Sequence, residues 1–161
     1  MIYEDLFAFK LQLKVGLTTF KEVQDWADQK ILQNNNDAII LDICFIKSHY
    51  ELQDYLDHLF KYDVDVDKEK VALVILKQYF NEKVPKQLDS QLRYHVSILR
   101  FLADYLDEIN LPENEASLIS RIIAYEDEII LSEIGDVLSI SVEEIYAEFY
   151  QYLQNWLSKY T

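Results

Sequence analysis

Glycine and proline are almost missing from this chain: two of each punctuate 161 residues. Sheets and barrels need turn residues at short intervals, glycine for left-handed backbone and proline for fixed turns. Their scarcity excludes a mainly β architecture and favours helices joined by few breaks. Cysteine is reduced to Cys44, so no internal disulfide can form and a reduced, cytoplasmic setting is expected. No apolar run approaches the roughly 18 residues that a membrane-spanning helix requires. The first residues, Met1-Ile2-Tyr3-Glu4-Asp5, are acidic where a secretory leader is basic. No contact with a membrane is expected.

Basic residues are also scarce, 15 against 29 acids, for a net charge of −14. Nucleic-acid binding by phosphate neutralisation needs the opposite sign, and an anionic membrane surface would repel the chain. The expected partner is a protein, neutral or basic. The imbalance is uneven. Residues 122–158 contain no Lys or Arg but eight acids: Glu126, Asp127, Glu128, Glu133, Asp136, Glu143, Glu144 and Glu148. Interleaved with them are Tyr125, Tyr146, Phe149, Tyr150, Tyr152 and Trp156.

Chemical motifs are missing as well. His49, His58 and His95 are scattered, with no His-Glu-x-x-His, no Glu-x-x-His pair and no Cys/His cluster for a metal. Asp54 and His58 stand one helical turn apart, a spacing that permits contact. No Gly-x-Ser-x-Gly elbow exists, and the apolar neighbours of Cys44 would raise its thiol pKa. Two glycines cannot build a phosphate-cradling loop. Asp63-Val64-Asp65-Val66-Asp67 opens like a calcium loop, but Lys68 stands where the loop needs glycine and Val74 where it needs glutamate. No catalytic residue, cofactor or metal is assigned, and a motif-less enzyme is the least favoured alternative.

Half of the residues are hydrophobic, enough for one domain with a substantial core. The spacing predicts about eight helices, in one irregular all-α bundle of mostly antiparallel neighbours over residues 1–161. The first helix covers about 3–15 and stops at Gly16. Thr19 and Glu22 form a capping box that opens the second, with Phe20, Val23, Trp26, Ala27 and Ile31 at helical spacing. Asn34-Asn35-Asn36 is a turn cluster, and Asn36 is the expected cap of a third helix over about 37–47. Residues 37–46 and 71–76 are rich in β-branched side chains and are open to a buried-strand reading. Ser48 and Glu51 box the fourth helix, to about 60. The fifth covers about 67–80, followed by a loop through Pro85. The sixth covers about 88–109, ending in the turn at 110–113. A seventh begins near Glu113, with a break expected around Glu126. Ser141 and Glu144 open the last, to about Lys159. The 131–146 segment has the outline of a helix-turn-helix, but its second helix offers Glu143, Glu144 and Glu148 where a recognition helix offers Arg, Lys, Asn or Gln.

The stretch Gly16-Leu17-Thr18, Glu22-Val23, Trp26-Ala27-Asp28 and Ile31 resembles one near the N-terminus of small all-helical bacterial proteins of uncharacterised function. Some of these look like candidate immunity proteins of contact-dependent or polymorphic toxin systems. The match covers residues 3–32 and carries over no functional residue.

The functional expectation is therefore an acidic cytoplasmic protein-binding protein, concretely an immunity protein that neutralises a basic toxin by occluding its active site. Its expected partner-binding residues are Glu126, Asp127, Glu128, Glu143, Glu144, Tyr146, Glu148 and Tyr150. Charge would steer the encounter and exposed tyrosines would anchor it. The alternative is a regulatory or scaffold helical domain that forms a homo-oligomer through its aromatic surface.

Overall fold

The structure, a computed structural model, describes residues 2–62, 64–106, 116–135 and 140–160. Among the described residues the chain is all-α, with eight α-helices, one short 3-10 helix and no strand. The helices are α1 (Ile2–Val15), α2 (Phe20–Leu32), α3 (Ala38–Phe45), α4 (His49–Leu59), α5 (Lys68–Lys83), α6 (Leu92–Ala103), α7 (Leu118–Ile134) and α8 (Val142–Tyr160). A 3-10 turn, Asp104–Leu106, tightens the end of α6. No helix is long and apolar enough to cross a membrane among the described residues. The contacts group the chain into two compact units, residues 1–71 and 72–161.

The first unit is held by two antiparallel helix pairs. Phe7 of α1 meets Phe60, just past α4, edge-to-face at 5.2 Å, and Lys10 faces Asp57 at 3.8 Å. Phe9 meets Trp26 at 5.1 Å and 72°, which fixes how α1 meets α2. Gln24 of α2 donates to the carbonyl of Ile46 at 2.7 Å, and Cys44 donates to Asp28 at 3.3 Å. These contacts seat α3, whose Ile40 and Ile43 are fully buried. Residues 37–46 and 71–76, open to a strand reading from sequence, are helical in their described cores. Ile40, Ile43, Val71 and Ile75 are buried while Val74 is exposed, a helical and not an alternating pattern, and tertiary burial outweighs a propensity difference of a few tenths of a kcal/mol per residue.

The helix ends follow their local chemistry. Gly16 takes φ +77°, and the Leu17 amide donates to the Gln12 carbonyl at 2.9 Å, closing α1 in a left-handed stop. Asn34, at φ +63°, does the same for α2, with Asn35 donating to Lys30 at 3.0 Å. Asparagine tolerates this region because its short polar side chain bonds locally. The capping box is complete: Thr19 accepts from the Glu22 amide at 3.2 Å, and Glu22 accepts from the Thr19 amide at 2.8 Å.

Several boundaries differ from the sequence expectation. Asp37, not Asn36, caps α3, accepting from the Ile39 amide at 2.9 Å. Ser48 caps α4, but Glu51 reaches the Lys47 amide at 3.1 Å and not that of Ser48. α5 continues to Lys83, through residues expected as loop. α6 starts four residues later than expected, because Asp89 and Gln91 form a local turn at 2.9 Å. α7 runs unbroken through Glu126. Asp63 of the aspartate-rich loop, the 107–115 segment with its expected turn and helix start, and residues 136–139 of the helix-turn-helix outline lie outside the described residues.

Replacing Thr19 by Ala removes a donor–acceptor pair at the α2 start and is expected to lower stability by about 1 kcal/mol. Thr18→Ala, which loses only an exposed hydroxyl contact to Glu22, is expected to cost less. Urea unfolding followed by helical circular dichroism measures both, and equal midpoints for Thr19→Ala and the parent would contradict the capping assignment.

Candidate functional site

The acidic segment folds into α7 and α8, two antiparallel helices of the second unit. Their seam is aromatic. Tyr125 of α7 lies 5.4 Å from Phe149 and 5.9 Å from Tyr152 of α8. Ile122, Ile129, Ile145 and Leu153 are buried. The acids fall on the outer faces, as the helical period requires.

Two acids are neutralised from a third helix. α6 runs antiparallel to α7 and supplies Arg100 to Glu126 at 3.4 Å and Arg93 to Glu133. Each exposed pair is worth about 0–1 kcal/mol. They matter more for distribution, since they withdraw Glu126 and Glu133 from the free negative charge. Asp127, Glu128, Glu143, Glu144 and Glu148 are exposed and have no cation within ion-pair distance among the described residues. Glu128 and Glu148, 20 positions apart in sequence, both act on the Tyr125 hydroxyl. Burial pushes that phenol up; Arg121 opposes the rise and Glu148 and Glu128 reinforce it. The fold thus gathers carboxylates from both helices about one tyrosine. Glu143 and Glu144 also occupy the first turn of α8, where they complement the helix dipole. Ser141 caps that turn, accepting from the Glu144 amide at 3.3 Å.

The two expected tyrosine anchors are folded inward. Tyr146 is buried and its hydroxyl donates to the Pro85 carbonyl. Tyr150 is half-buried with its ring 4.8 Å from Phe80. Both lie against the end of α5 and the loop after it, a neighbour that spacing within α8 does not reveal. The exposed apolar side chains here are instead Leu131 and Ile134 on α7 and Ile140 just before α8. They flank the junction between α7 and α8. Ile134 continues the helical spacing of Ile130 in the sequence, and its 71% exposure is visible only in the structure.

The histidines separate into different roles. His58 contacts the Asp54 backbone carbonyl at 2.9 Å and not its carboxylate. His49 stands edge-to-face with Tyr50 at 5.8 Å. His95 is buried, with its Nδ1 2.9 Å from the Tyr79 hydroxyl and its Nε2 3.8 Å from Asp89. With the proton on Nε2, Tyr79 donates to Nδ1 and the ring N–H faces Asp89. This Asp-His-Tyr line ends at a tyrosine only 1% exposed, so it serves as a buried tie between α5 and α6. Cys44 keeps a raised thiol pKa, first from burial and then from Asp28. No group of three or more potential metal ligands forms among the described residues.

Burial pushes Tyr79 and Tyr146 each up to about 12. Both ionise near pH 10 in the unfolded chain. Their contribution is therefore full below about pH 10 and is lost as the pH rises to about 12. Urea midpoints are expected to fall across that interval. Tyr79→Phe is expected to fall less steeply, while starting about 1–3 kcal/mol lower because His95 Nδ1 loses its donor. Parallel slopes for the two proteins would contradict this burial of Tyr79.

No protein family, curated protein or solved structure matches this chain.

Proposed function

We propose that this protein binds a basic protein partner through the outer face of α7 and α8, most concretely as a cytoplasmic immunity protein that covers the active site of a basic toxin. The observation that carries the reading is the set of five exposed, unpaired carboxylates, Asp127, Glu128, Glu143, Glu144 and Glu148, on two packed helices. Carboxylates held side by side repel one another, and a cationic partner surface relieves that repulsion while steering the encounter. Affinity needs apolar anchors as well as charge. Leu131, Ile134 and Ile140, exposed beside the α8 start, take the part first expected of Tyr146 and Tyr150. Glu126 contributes through its pair with Arg100, as a rim residue.

The test is co-expression with the product of the adjacent gene, scored by growth. Protection is expected with the parent chain and loss of protection with Glu143→Lys combined with Glu144→Lys. Glu128→Lys with Glu148→Lys is expected to weaken it in the same direction. Both pairs are exposed, so helix content should be retained. Protection by the parent that survives both double reversals would overturn the acidic face as the contact surface, and no protection at all would overturn the immunity reading.

The exposure of Phe45 on α3 (80%) and Tyr50 on α4 (78%) favours a second reading, a helical regulatory or scaffold domain that self-associates. Light scattering across a salt series separates the two. Apolar self-association persists or strengthens at high salt, whereas charge-steered binding of a partner weakens.

A further inference from the structure

The opposite end of the α7–α8 pair has the reverse character. A groove of about 420 Å³ is lined by Arg121 from the first turn of α7 and by Tyr152, Asn155, Trp156, Lys159 and Tyr160 from α8. That volume falls in the range of about 300–1,000 Å³ common for small-ligand sites. The α8 residues recur every three or four positions and so share one helical face.

Two observations set the chemistry of the groove, and a third supplies its reporter. The first is charge. The chain has three arginines, Arg93, Arg100 and Arg121. Two are committed to glutamates of α7. Arg121 has no carboxylate within ion-pair distance among the described residues, and its guanidinium lies 5.3 Å from the centre of the Tyr152 ring. This cation–π contact leaves the guanidinium N–H donors for an acceptor. The second is the wall. Trp156 and Tyr160 lie 4.8 Å apart at 39°, and the Lys159 ammonium sits 5.1 Å from the Tyr160 ring centre. The third is an unmet donor. Trp156 is 6% exposed, and its indole N–H is enclosed without an acceptor among the described residues. That N–H has no surface open to the groove, so it is a reporter fixed beside the aromatic wall and not itself a contact for a ligand.

We propose that this groove binds a small organic carboxylate carrying an aromatic ring. The carboxylate meets Arg121 and Lys159, and the ring lies against Trp156 and Tyr160. A planar carboxylate matches the guanidinium fork bidentately. A single negative charge also suits a chain of net −14 better than a phosphate dianion, which the surrounding field disfavours.

The test uses the intact chain labelled with nitrogen-15 and titrated with benzoate, benzamide or inorganic phosphate. The indole N–H signals of Trp156 and Trp26 are followed together, with Trp26 on α2 as the internal reference. Benzoate is expected to shift Trp156 saturably and leave Trp26 in place. Benzamide and phosphate are expected to shift Trp156 far less at equal concentration. Arg121→Gln should weaken benzoate about tenfold, the loss of one charge-assisted contact, and Lys159→Gln should weaken it in the same direction. Lys21→Gln, which removes an equal charge from α2, should leave affinity unchanged. An unmoved Trp156, equal binding of benzamide or phosphate, or equal losses in Arg121→Gln and Lys21→Gln would each overturn the proposal.

Discussion

The constraint on which the second unit depends is electrostatic. α7 and α8 pack side by side while carrying seven carboxylates against two cations. Two such helices repel, and only a continuous apolar and aromatic seam holds them together. Tyr125 between Phe149 and Tyr152, with Ile122, Ile129, Ile145 and Leu153 buried around it, supplies that seam. At about 25 cal/mol per Å² of apolar surface removed from water, it outweighs the repulsion of exposed carboxylates screened by solvent. α6 relieves the remainder by laying Arg93 and Arg100 along the flank of α7. Asp127, Glu128, Glu143, Glu144 and Glu148 are left exposed with no cation within ion-pair distance among the described residues.

Tyrosine has three structural duties here. Tyr146 and Tyr79 are core residues whose hydroxyls are satisfied internally, by Pro85 and His95. Tyr55 ties α4 to α3 by donating to Asp42 at 2.9 Å. Tyr152 and Tyr160 support cations at the far end of α8. An amphipathic ring with one polar tip suits each of these positions, because it removes apolar area from water while its hydroxyl finds a partner.

Sequence alone determined the all-α class and most helix ends. Those depend on neighbours within a few residues: glycine or asparagine in the left-handed stop, serine, threonine or aspartate at the cap, and apolar residues every three or four positions. The acidic run was equally legible, because net charge is a sum over composition. Tertiary structure decided which of those acids remain unpaired, since Arg93 and Arg100 are 40 and 26 positions away from their glutamates. It also turned Tyr146 and Tyr150 inward, because Pro85 and Phe80 are packed beneath them and no periodicity within α8 registers a neighbour from α5. In the sequence Arg121 is the last base before the acidic tract. Only the antiparallel return of α8 places it beside Tyr152, across from Lys159, and makes a cationic groove at one end of an anionic pair of helices.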